Sequence, residues 1–257
     1  MTQIGTTIDH ETGNLSQYTT TTTSGSGTVA ASTSANLNGS YGLRSVVNSA
    51  VDSNDQAAGE KNSYSWPASN TFYWTFLFRF PSGTFTQAGH YNSATTKAVA
   101  FFEDPSSFQR MFWLLIADGT RTLRLAYKAK DNSDNFAGSG VALGDGTLYY
   151  IKMLLDKSGA NPIVTWWYST DGSSYTQGGT ATDSTSGTNG VGKTVTALNY
   201  RGGIRHVSQF DLCQYTVDVD DLAAWDADPT GVPQGLVYGA RPEGYRGQIQ
   251  MQSLLAT

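Results

Sequence analysis

Charge is the scarcest thing in this sequence. Lys, Arg, Asp and Glu make up 14% of its 257 residues, against roughly 25% in an average soluble domain. The balance is negative, −5 at neutral pH. A duplex-binding domain presents a basic face, so nucleic acid is excluded as a partner. There is one cysteine, Cys213, which excludes an intrachain disulfide; its neighbours Phe210 and Leu212 predict a buried, inert thiol. The three histidines, His10, His90 and His206, form no His-x-His and no His-Glu-x-x-His, so each is expected on the surface or in a structural hydrogen bond. No apolar run approaches the roughly 20 residues that cross a membrane, and MTQIGTTIDHETGN has neither the basic nor the apolar region of a secretory signal. The expectation is a chain made in the cytoplasm, without membrane insertion, that acts on a particle surface or outside the cell.

A 3.6-residue period is also missing. What is present is short apolar runs punctuated by turns. Leu148–Leu155 and Ile163–Tyr168 flank Asp156-Lys157-Ser158-Gly159-Ala160-Asn161-Pro162, and this reads as a β-hairpin. Phe72–Phe80 is nearly all apolar, as in a strand covered on both faces. Met111–Ile116 and Thr122–Lys128 flank an Asp-Gly turn. Turn signals recur every 8–15 residues, which predicts an all-β sandwich or barrel. Residues 48–63, 130–140 and 178–192 read as loops. Residues 218–227 (DVDDLAAWDA) read as one helical turn. The Thr-rich tract 19–28 is either an edge strand or a linker. From Asp228 the chain holds three of its seven prolines and reads as an extended arm, so the predicted division is a domain over 1–227 and an arm over 228–257.

Several segments resemble the concanavalin A-like lectin/glucanase superfamily, including its laminin-G-like modules. IDHETGNLSQY is similar to the opening of those jelly rolls. Leu37-Asn38-Gly39-Ser40-Tyr41-Gly42-Leu43 is similar to their early turn and strand. Gly146–Met153 resembles a later strand, and Phe210-Asp211-Leu212 resembles the closing one. The resemblance runs from about residue 8 to residue 217 and implies a two-sheet antiparallel jelly-roll sandwich. It also implies a structural calcium where the terminal strands meet, held by Asp9, Glu11 and Asp211. Fold does not dictate function, and this superfamily spans lectins, hydrolases, adhesins and virion proteins.

An enzyme of this fold that retains configuration would carry paired carboxylates on one strand, about 5 Å apart. No such string exists. Glu103-Asp104 is the nearest acidic pair, and neighbouring strand residues face opposite sides. A lyase of this fold would need His, Tyr, Arg and Gln converging on a groove. A binding role rests on aromatics that can stack on sugar rings: Trp66, Tyr91, Trp113, Trp166, Trp167 and Tyr175. Of the adjacent pair Trp166 and Trp167, one faces the core and the other is the stacking platform. Taken together, the sequence predicts a non-catalytic structural or adhesive surface module of a multi-subunit particle, such as a phage virion decoration or appendage protein. Its arm would contact other subunits and its aromatics would contact cell-surface glycans. The alternative is a free-standing carbohydrate-binding module, and the third reading a polysaccharide-cleaving enzyme.

Overall fold

The computed structural model describes residues 1–49, 56–82, 97–107, 109–117, 122–206 and 213–229. The described strands form two antiparallel sheets. The eight-stranded sheet runs in the order β13 (Thr176–Thr182), β12 (Ile163–Ser169), β11 (Leu148–Asp156), β6 (Thr71–Arg79), β15 (Cys213–Trp225), β4 (Gly42–Ser49) and β3 (Thr28–Ser32), with β1 (Gln3–Ile8) also paired to β15. The seven-stranded sheet runs β10 (Asp134–Ala142), β9 (Thr122–Lys128), β8 (Arg110–Ala117), β7 (Lys97–Glu103), β14 (Ala197–His206), β5 (Gln56–Ser65) and β2 (Thr20–Ser24).

Period-2 alternation aims one row of each strand between the sheets. In β6 that row is Phe72, Trp74, Phe76 and Phe78; in β11 it is Tyr149, Ile151, Met153 and Leu155. Trp74 meets Phe102 of the facing sheet edge-on at 4.9 Å, and Phe102 stacks on Phe112 at 4.4 Å. The other row of β6 is covered as well: Leu77 packs with Ala223 and Trp225 on the far side of the sheet. That is why Phe72–Phe80 reads as a continuous apolar run.

Four stretches fold differently from their sequence reading. Residues 56–65, 134–142 and 176–182 are strands, not loops. β10 and β13 are terminal strands of their sheets and β5 is next to an edge, so half of each carries polar or small residues and the apolar signal is weak. Residues 218–225 are strand as well, not a helical turn. Asp218 is buried between Arg44 and Arg79, accepting from Arg44 Nε at 2.8 Å and Arg79 Nη2 at 2.8 Å. Asp220 accepts the main-chain amides of Leu37 and Asn38. These partners are long-range, and a bulge between Asp220 and Ala223 breaks the alternation that would have marked a strand. The Thr-rich tract supplies β2, the edge strand beside β5. Of the predicted arm, residues 230–257 lie outside the described residues.

Candidate functional site

β14 places the central group. Leu198, Tyr200 and Ile204 point into the core, so Asn199 and Arg201 face outward on the seven-stranded sheet. β5 and β7 flank β14 and pair with it so that Arg201 lies opposite Glu60 and Phe101, while Asn199 lies opposite Glu103. Arg201 Nε stands 3.4 Å from Glu60 Oε1 and 3.2 Å from Glu103 Oε2. The arginine side chain is 14% exposed and the two acids 9% and 1%, so the guanidinium is the most accessible member of the trio. Glu60 also accepts a hydrogen bond from Thr22 Oγ1 on β2.

The register carries the row further. Glu60, Arg201, Phe101, Trp113, Ala126 and Phe136 stand side by side across six strands. Arg110 lies over the Trp113 ring at 4.9 Å, and Arg124 over the Phe136 ring at 3.7 Å; both are cation–π distances. Trp113 Nε1 and Arg124 Nε are buried and find no hydrogen-bond partner among the described residues. The face therefore combines cations, aromatic rings and unmet donors. Sequence reasoning missed Glu60 and Arg201 altogether. It sought paired acids on one strand, but the pair comes from β5 and β7, joined through the strand between them. The only local signal was a charged pair, Glu60-Lys61, inside a stretch read as loop.

The predicted aromatic residues separate. Trp166 is wholly buried, its Nε1 donating to Ala137 O at 3.3 Å. Trp167 is the outward member of the pair and lies on the far side of the eight-stranded sheet. Lys152 Nζ sits 4.4 Å from its ring centroid and 5.5 Å from that of Tyr175. The same ammonium pairs with Asp228 at 3.0 Å. Burial pushes the Tyr175 hydroxyl well above the usual tyrosine range. Trp167 and Tyr175 are thus neighbours, whereas Trp113 stands on the opposite sheet and is buried, so it offers no stacking face. Tyr91, His90 and Asp211 lie outside the described residues, as do the side chains of His206 and Cys213.

The calcium expectation named Asp9, Glu11 and Asp211. Asp9 Oδ1 accepts from Gln17 Nε2 at 2.9 Å, and Glu11 Oε1 from the amides of Ser40 and Tyr41 at 2.8 and 3.1 Å. Calcium takes six to eight oxygens, and among the described residues no group of three His, Cys, Asp or Glu side chains is placed to hold a metal ion. The acids that do converge near the N-terminal segment are Asp220 and Asp221. Asp220 Oδ1 meets His10 Nδ1 at 3.0 Å, and His10 Nε2 meets Tyr18 Oη at 2.9 Å. Burial lowers His10 to about 4 and raises both aspartates.

No family model matches the chain, and no curated protein matches it. Solved structures do. The endo-β-1,4-glucuronan lyase of the fungus Trichoderma reesei superposes with a TM-score of 0.61 at 11% identity, over 87% of this chain and 96% of the other. The globular domain of T. cruzi calreticulin gives 0.55 at 10% identity, over 98% and 100%. The marine PL-14 alginate lyase of Aplysia kurodai gives 0.50 at 11%, over 77% and 86%. The fold is a two-sheet antiparallel jelly-roll sandwich. The likeness is one of fold, and two of these three jelly rolls are polysaccharide lyases. That finding overturns the expectation of a non-catalytic module of a phage particle, together with the denial of an enzymatic role. The assembly reading rested on the C-terminal arm, which from residue 230 lies outside the described part of the jelly roll.

Proposed function

We propose that the chain binds an acidic polysaccharide on the outer face of the seven-stranded sheet and cleaves it at uronate residues by β-elimination. The observation that carries this reading is Arg201, fixed between Glu60 and Glu103 in the middle of a row of cations and aromatic rings. A guanidinium has five donors in a planar fork, matched to a carboxylate. Both protein acids lie beside Arg201 Nε, and in this reading the ligand carboxylate takes the Nη edge of the fork. In β-elimination a base removes the proton α to the uronate carboxylate, and the C4–O bond breaks. The electron pair of the C–H bond becomes the new C=C, and the departing oxygen takes up a proton. Pairing the carboxylate with Arg201 offsets the charge that would otherwise oppose loss of that proton. Arg201 is the substrate-binding residue; Glu60 and Glu103 are positioning residues that hold it. Phe136, which is exposed, extends the apolar wall along which sugar rings lie. The lyase neighbours support the same class of reaction.

The test uses the full chain with glucuronan, alginate and a neutral β-glucan. The expected result is ultraviolet-absorbing unsaturated ends from a uronate polymer and none from the neutral one. Arg201→Ala should lower turnover by about 100-fold, the scale of losing one charge-stabilising group, with an unchanged circular dichroism spectrum. New reducing ends without ultraviolet absorbance would instead mean hydrolysis by the Glu60/Glu103 pair, and elimination would be excluded. No cleavage and no binding of any polymer would overturn the reading.

A further inference from the structure

The same two strands that carry Glu60 and Arg201 end at a cleft. Trp66 follows β5, and Thr194 and Val195 lead into β14; with the 157–162 turn and the 187–192 segment they enclose about 490 Å³, within the roughly 300–1,000 Å³ of small-molecule sites. The chain is net negative, yet this lining contains two lysines, Lys130 and Lys157, and no carboxylate. Neither lysine forms an ion pair among the described residues. Lys130 Nζ donates to Asn161 Oδ1 at 3.2 Å. Lys157 Nζ donates to the main-chain oxygen of Lys193 and lies 5.5 Å from the Trp66 centroid. Burial lowers the Lys157 ammonium below the usual lysine value, the mark of a cation removed from water without a counter-charge.

The cleft is also rigid. Trp66 stacks on Phe72 at 5.4 Å and 10°. Its Nε1 donates to Asn70 Oδ1 at 3.1 Å, and its amide to Thr196 O at 2.8 Å. The 187–192 segment packs so tightly on Lys130 that a Cβ at Gly192 would fall 2.3 Å from the lysine Cγ. At Gly159 a Cβ would meet nothing within 4 Å, which makes that turn the open mouth.

We infer that this cleft is a second saccharide site, which anchors the carboxylate of an acidic sugar on Lys130 and Lys157 beside the Trp66 indole. Two cations without counter-charge select an anion, and a fixed indole selects a ligand with an apolar ring face. The site shares its sugar class with the reading above and stands without the elimination chemistry. From Glu60 to the end of β5 is about 17 Å along the strand, whereas the row through Arg201 and Phe136 runs across the strands, so the cleft is a separate site at the end of the sheet.

Calorimetric titration of the full-length Arg201→Ala protein isolates the cleft. The probes are a glucuronate oligosaccharide, a neutral glucose oligosaccharide of equal length and inorganic phosphate. The acidic oligosaccharide should bind at least tenfold more tightly than either of the others. The double variant Lys130→Met/Lys157→Met, which keeps the aliphatic stems, should weaken it about tenfold or more, equivalent to about 1.4 kcal/mol, with an unchanged unfolding midpoint. Equal binding of the neutral sugar, equal binding of phosphate, no binding of the acidic sugar, or unchanged affinity in the double variant would each overturn the proposal. Lysine-dependent binding by a protein that cleaves nothing would leave this site standing and remove the lyase reading.

Discussion

Trp166 and Trp167 show how much one side chain's orientation matters. They are adjacent in β12, and alternation alone says that one is inside and the other outside. Which one is inside depends on pairing with β11 and β13, where Met153 lies opposite Trp166 and Lys152 opposite Trp167. Trp166 has Gly178 against its ring: a Cβ there would sit 2.3 Å from the indole. Trp166→Ala should therefore cost about 3–5 kcal/mol. Trp167→Ala, which loses a cation–π contact on a half-exposed face, should cost about 1 kcal/mol. Urea unfolding of the two variants measures the difference, and equal costs would contradict this assignment. The aromatic residues were legible as strand formers and as candidates for stacking. Glu60 and Arg201 were not, because a charged residue in a polar stretch gives no hint of its partner.

Among elements, the closing of the sandwich edge falls to two glycines. β10 and β13 end different sheets, yet a Cβ on Gly179 would fall 1.9 Å from Ala137 O, and one on Gly138 only 2.6 Å from Gly179 Cα. Gly138 also has φ +83°, a region that suits glycine. The two backbones meet where no side chain fits, joining the sheets along that edge. Gly179→Ala should destabilise the fold by about 1–3 kcal/mol, the usual cost of forcing extra volume into a packed contact, seen as a lower calorimetric unfolding midpoint. An unchanged midpoint would mean that the edge yields without cost. Strong strands such as β6, β11 and β12 were readable from their apolar runs. β5, β10 and β13 were not, since an edge or near-edge strand draws its stability from main-chain pairing, which leaves little trace in side-chain chemistry.

Across the whole molecule, the cluster where the N-terminal segment meets β15 sets a pH response. Burial raises Asp220, and raises Asp221 from 3.8 to about 9. At neutral pH the folded chain therefore holds protons that the unfolded chain has released, and stability falls as pH rises toward 9. His10 acts in the opposite sense: lowered from 6.5 to about 4, it costs stability as pH falls through that window. Two carboxylates outweigh one imidazole, so acidification from about pH 9 to pH 5 should stabilise the protein. The slope is about 1.4 kcal/mol per pH unit for each net proton. Asp221→Asn should flatten it in urea titrations run across that range, and an unaltered slope would show that Asp221 does not hold the proton. Below the ordinary carboxylate range the trend reverses. Asp104, despite the burial that would raise it, is held far down by Lys193 and by Ser107 and Ser106. The amides of Ser174 and Ser173 do the same for Asp171. By itself the sequence determined an all-β sandwich or barrel, because alternation, β-branched runs and turn chemistry act between near neighbours. Only the tertiary structure decided that Glu60, Arg201 and Glu103 form one cluster, that Lys130 and Lys157 share one cleft, and that His10 faces Asp220. Each of these meetings depends on which strands lie side by side and in what register, and a two-residue period assigns a side chain to a face without saying what stands beside it.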